Sequence, residues 1–255
     1  MAPTRNSGLI DFVQFQCEMS KVAEQLLAPH VSEAIARFSS KPAEPFRVDV
    51  PFVTDQKPAL TREERFSADA FSGFIEINET IERLQDIQVY IRRFPFSNTR
   101  ITRERYLRMH VEAYFHELYI LRERLLSYGK RMTRAYRSGP SKEPARIAGQ
   151  RLEALVTNRM AVMVATRNHH VHKSRFDEAH LRNLGAIELI ARNSPDPIWK
   201  PYLNQQYQIV RIHWKKWAMG MNEAVELLLD EYFRILYPVL FESPAKLRLR
   251  SGRAT

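Results

Sequence analysis

The stretch LRMHVEAYFHELYILRERLLSYGKRM, Leu107–Met132, decides the fold class. Leu107, Val111, Tyr114, Leu118, Leu121, Leu125, Tyr128 and Met132 recur at alternating steps of four and three. On a helix these positions form one stripe, because a turn takes about 3.6 residues. A stripe held in register this long is the seam of a helix lying nearly parallel or antiparallel to its neighbours. Thr102 stands where an N-cap belongs, and Ser138-Gly139-Pro140-Ser141 ends the segment as a loop.

The same period appears on both sides. Phe66, Ala70, Phe74, Ile77, Ile81 and Leu84 predict a helix from about Glu64 to Arg93, stopped by Pro95. Leu152, Val156, Met160 and Val164 predict another from Pro144 to Val171. A shorter helix, Asp177 to Arg192, precedes a break at Ser194-Pro195-Asp196-Pro197. The last helix, Gln206 to Leu240, carries Val210, Trp214, Trp217, Met221, Leu228, Tyr232, Ile235 and Val239, with Gly220 inside it marking a close approach or a bend. Near the N-terminus, residues 9–27 read as a helix that Pro29 ends, or follows with a short successor through Val31, Ile35 and Phe38.

Pro42, Pro45, Pro51 and Pro58 exclude a helix over residues 40–61. Phe46, Val48, Val50 and Phe52 alternate there with polar or proline positions, which suits one short extended arm. The expected chain is therefore all-α, a bundle of long antiparallel amphipathic helices. Its parts are an N-terminal helical extension (1–39), a proline-rich connector (40–61), a helical bundle with a long C-terminal helix (62–243) and a basic mobile tail (244–255) carrying Lys246, Arg248, Arg250 and Arg253.

Bulk properties narrow the class. The formal charge is +10 and the pI about 9.8, which favours polyanionic partners. Cys17 is the one cysteine, so an internal disulfide and a cysteine zinc site are excluded. A reducing, cytoplasmic setting is expected. No apolar run approaches the ~20 residues that span a bilayer, and the N-terminus lacks a signal-peptide pattern, so no membrane role is expected.

Phosphate-binding glycine loops, HExxH, nucleophile elbows and EF-hand loops are absent from the sequence. One segment stands out, Thr166-Arg167-Asn168-His169-His170-Val171-His172-Lys173-Ser174-Arg175-Phe176, with three of the chain's eight histidines. Arg167 and Val171 continue the stripe of Val156, Met160 and Val164, so an arginine occupies a position where the pattern calls for an apolar residue. Such an arginine needs a carboxylate such as Glu112 or Glu117, a ligand, or a second chain. Asn168 and His172 are four apart and share a face, where the amide can hold one imidazole tautomer.

This segment resembles the motif of the HEPN superfamily, helical-bundle domains of which many cut RNA. The signature is Arg, a polar residue, a few variable residues, then His; here it reads Arg167-Asn168-His169-His170-Val171-His172. Coming after a helix ending in Tyr119-Ile120-Leu121-Arg122, it looks like a subgroup of mostly uncharacterised bacterial HEPN proteins. The resemblance covers about residues 60–195. Ser174 stands where toxin-type members have tyrosine, so that variant is not implied.

The resemblance implies a homodimer acting on RNA as a metal-independent endoribonuclease. His172 is the expected proton acceptor for the 2′-hydroxyl, Arg167 the cation facing the phosphorane, and Asn168 the residue that orients the imidazole. His169, His170, Lys173 and Arg175 are the expected RNA contacts. Residues five apart on a regular helix diverge by about 140°, so Arg167 and His172 converge only if the helix ends between them or two copies meet. HEPN enzymes generally use the second arrangement.

Other readings stand beside this one: a HEPN-like module that binds RNA, a nucleotide or a protein without cutting, and a helical scaffold with no RNA role. The histidines also suit a polar helix end near its carbonyls. A metal site is disfavoured because adjacent histidines diverge and carboxylates are scarce, so no metal or cofactor is expected. Trp214 and Trp217 read as core. Arg103-Glu104-Arg105 and Arg122-Glu123-Arg124 read as solvated faces with local ion pairs.

Overall fold

Helices begin where short polar side chains take up their orphan amides. The computed structural model describes residues 11–39, 61–95, 100–138, 140–172 and 178–248, with the side chains at 29–39 and 162–172 outside the description. The elements are α1 Phe12–Ser39, α2 Arg62–Ile91, α3 Arg103–Arg134, α4 Lys142–His172, α5 Ala179–Asn193 and α6 Trp199–Leu240, then β1 Phe241–Ser243 and β2 Lys246–Leu247. Asp11 accepts the Gln14 amide at 2.8 Å ahead of α1. Thr61 and Glu64 form a reciprocal capping box ahead of α2, at 2.8 and 3.2 Å. Thr102 caps α3 through the Arg105 amide at 3.0 Å, as its position in the sequence suggested. The all-α expectation therefore holds. The expected arm at Phe46–Phe52 lies outside the described residues.

Three boundaries differ from the sequence reading. α1 runs across Pro29 as one helix. Proline's fixed φ is helical, so its cost is a missing amide donor and crowding of the preceding turn, which neighbouring turns can carry. α6 starts at Trp199, seven residues before Gln206. Asp196 accepts the Ile198 amide at 3.0 Å, so the acidic residue inside the expected break starts the helix, and Pro201 sits in the first turn, where no donor is needed. α3 continues through Tyr119–Arg122 to Arg134.

The start of the expected tail also differs, while residues 249–255, with Arg250 and Arg253, lie outside the described residues. β1 and β2 pair antiparallel, Phe241 opposite Leu247, and Ala245 turns the hairpin at φ 58°. The Arg248 amide donates to Leu240 O at 2.7 Å, and Tyr136 Oη donates to Arg248 O at 2.9 Å. Residues 241–248 are therefore pinned by main-chain bonds, by buried Phe241 and Leu247, and by the Arg248 guanidinium, which donates to Pro238 O at 3.4 Å and Phe241 O at 3.5 Å.

The chain forms two compact units. The first contains α1, α2 to Ile75, Tyr128–Arg151 and the chain from Phe233 onward. Its core is aromatic: Phe15 lies 4.2 Å from Phe233, 5.6 Å from Phe74 and 5.6 Å from Phe241, centroid to centroid. Tyr128 is fully buried and donates to Ala70 O at 3.1 Å. It fits against α2 because residue 73 is glycine; a Cβ there would lie 2.8 Å from the Tyr128 ring.

The second unit is Glu76–Ser127 with Leu152–Tyr232. Within it α2 and α3 run antiparallel: Tyr106 Oη reaches Tyr90 O at 3.3 Å, Arg83 faces Glu117 at 3.8 Å, and Arg124 reaches Glu76 O and Thr80 Oγ1. α3 and α6 run parallel, with Tyr114 Oη donating to Ala218 O at 3.3 Å and Tyr232 Oη donating to Leu125 O at 2.7 Å. Burial holds the Tyr114 phenol far above its usual range, so it remains a donor.

Candidate functional site

α4 carries the segment singled out in the sequence. Leu152, Val156 and Met160 are buried, which places the first half of the expected stripe in the core of the second unit. Arg159, on the outer side, faces Glu231 of α6 at 3.4 Å. Arg167, Asn168, His169, His170 and His172 occupy the final turns of α4. Their side chains, and Lys173 and Arg175 entirely, lie outside the described residues.

The backbone still decides one question. α4 is helical through His172, so no helix end falls between Arg167 and His172. The two positions are separated by about 140° around one helix. Of the two ways to bring them together, only a second copy keeps this helix intact. Asn168 and His172, four apart, share a face of it, and Arg167 lies two turns beyond Met160 on the side that the stripe occupies.

Elsewhere in the second unit a buried carboxylate joins two helices. Glu188 of α5 is buried, and its two carboxylate oxygens accept the Arg103 and Glu104 amides at 3.0 and 3.1 Å. A carboxylate thus closes the positive N-terminal end of α3 from another helix. Gly185 admits the Glu104 side chain, 3.3 Å from where a Cβ would sit. Glu104 is buried and bonded to Arg108, and Arg103 lies 5.1 Å over the Tyr207 ring. Arg103 and Glu104 therefore belong to a helix junction, while Arg105 stays exposed and Glu104 keeps a local ion pair, as a solvated face expects. In Arg122-Glu123-Arg124 the first two residues pair locally as expected, while Arg124 crosses to α2. The sequence signal that could have exposed the junction is weak: a glutamate inside α5 has no local reason to be buried.

Removing this carboxylate leaves one buried and one part-buried donor without their partners. Glu188→Ala is expected to lower unfolding free energy by about 2–3 kcal/mol, read by urea denaturation. Glu188→Gln keeps one acceptor and loses the charge, so it is expected to cost less than the alanine variant.

Aromatic side chains of the second unit pack against one another. Trp214 is buried against Phe115 and Trp217, ring centroids 6.5 and 5.4 Å away, as the core reading expected, whereas Trp217 is half-buried. His110 packs on Tyr106 at 4.4 Å, and burial holds its imidazole below the usual histidine range. Among the described residues no group of three histidine, cysteine or carboxylate side chains could hold a metal ion. Among them, too, no helix is long and apolar enough to cross a membrane.

No family model matches the chain, and searches of curated proteins and of solved structures find no match.

Proposed function

We propose that the protein acts on RNA as a HEPN-type, metal-independent endoribonuclease, with Arg167 of one copy and His172 of another forming the site. The observation that carries this reading is an Arg-Asn-x-x-Val-His run at the end of an unbroken helix in a chain of net charge +10. RNA supplies its own nucleophile, so the protein needs little machinery. A histidine accepts the 2′-hydroxyl proton as the oxygen attacks the adjacent phosphorus. An arginine meets the charge on the phosphorane with two parallel N–H donors. The 5′-oxygen leaves with a proton, giving a 2′,3′-cyclic phosphate and a 5′-hydroxyl. Asn168 holds the imidazole tautomer, and the surrounding cations hold the phosphate backbone loosely and in a salt-dependent way.

The test is incubation of purified protein with single-stranded RNA in excess EDTA. The expected result is cleavage that persists in chelator and yields cyclic-phosphate ends. Activity lost in EDTA and restored by manganese or zinc would replace this mechanism with a metal site at the histidines. RNA binding without cleavage would make the chain a binding module.

A further inference from the structure

The outer face of α6, opposite the core, carries features that a single copy does not use. Val210, Trp214, Ala218, Val225, Leu228 and Leu229 bury one side of this helix. On the other side Ile209 and Leu227 are 50% and 72% exposed, flanked by Ile212 and Met219 at 46% and 38%. Ile209, Lys216, Gly220, Glu223 and Leu227 follow one another at steps of seven, four, three and four, the spacing of a second seam.

Two further observations identify what this face meets. The first is Gly220. A glycine in an exposed helix interior weakens the helix relative to alanine. Nothing among the described residues requires it, since a Cβ there would meet none of them within 4 Å. A glycine with open space outside it suits close approach by another backbone. The second is charge. Lys215 and Lys216 precede Gly220, and Glu223 and Glu226 follow it. Among the described residues these four side chains make no ion pair within the chain. A face that is basic before its centre and acidic after it is complementary to itself when turned end for end.

We infer that α6 pairs antiparallel with α6 of a second copy, about a two-fold axis level with Ala218. In that register Ile209 lies opposite Leu227 of the second copy, and Lys216 opposite its Gly220, one turn from its Glu223. Ile209 gains an apolar partner in Leu227, and Lys216 comes within one turn of a glutamate of the second copy. A parallel pairing sets Lys216 against Lys216 and Glu223 against Glu223, so the charges select the antiparallel form. The interface is isologous, as a closed dimer requires. The inference goes beyond the RNA reading and does not rest on it, because none of its residues belongs to the end of α4.

Sedimentation equilibrium of the full chain at micromolar concentration tests it. Wild type is expected to be a dimer. Lys215→Glu with Lys216→Glu makes the face wholly acidic, and Glu223→Lys with Glu226→Lys makes it wholly basic; each double variant is expected to be monomeric. Mixing the two is expected to restore a dimer, because every contact then joins opposite charges. Gly220→Phe is expected to be monomeric with its helical circular dichroism intact, since the ring has free space in one copy. The inference is overturned if wild type is a monomer, if the dimer survives in all three variants, or if the two charge variants stay monomeric on mixing. A wild-type dimer of this kind that cuts no RNA keeps the interface and removes the cleavage reading.

Discussion

His172→Ala is expected to slow RNA cleavage by ~100-fold or more while leaving RNA affinity nearly unchanged. The imidazole is the proposed proton acceptor, and a neutral ring contributes little to holding a polyanion. Arg167→Ala is expected to reduce the rate as severely, because it removes the cation that meets charge developing only in the transition state. Its effect on affinity is modest, since binding is spread over many basic side chains whose contacts weaken together as salt rises. Arg167→Lys is not expected to recover the rate, because an ammonium lacks the planar two-pronged contact. Asn168→Ala falls between, through a misoriented imidazole. Rates are read by single-turnover cleavage of a labelled RNA and affinity by titration at fixed salt. Each variant must first keep its helical signal and its oligomeric state. Because α4 is continuous through His172, the proposed site takes the two residues from different copies. Mixing His172→Ala with Arg167→Ala protein is therefore expected to restore part of the activity, in mixed dimers holding one intact pair. Equal rates in wild type and His172→Ala would remove the mechanism.

The second large effect is on stability. Phe233→Ala is expected to cost about 3–5 kcal/mol in unfolding free energy, read by urea or thermal denaturation. The ring is fully buried and lies 5.4 Å from Phe12, 4.2 Å from Phe15 and 5.8 Å from Phe74, so its removal opens a cavity among three helices that rigid aromatic neighbours cannot close. Phe233→Leu keeps much of the apolar volume and is expected to cost less than half as much. A loss under 1 kcal/mol for the alanine variant would mean that the first unit is not packed through this ring.

The helices were legible because their period is a property of neighbouring residues. The stripe from Leu107 to Met132 is buried at every one of its eight positions, since a seam spaced by threes and fours can face the core only as a helix. The Thr102 cap and the break after Ser194 were legible for the same reason, as local backbone chemistry. The motif at Arg167–His172 was legible only as residue types in order, and the sequence left open whether the helix ended inside it.

Tertiary structure decided what depends on partners distant in sequence. Glu188 reads as one more surface glutamate until α5 brings it 3.0 Å from the Arg103 amide, 85 residues away. Arg124 reads as part of a charged run until α2 presents Glu76 and Thr80 to it. The tail reads as a loose basic segment until Tyr136, 112 residues earlier, takes up the Arg248 carbonyl. The outer face of α6 became visible only once the core had claimed the opposite side. Periodicity and capping are local and so are written in the chain, whereas a carboxylate's partner, a half-buried cation's acceptor and an uncovered face are set by which helices come to lie side by side.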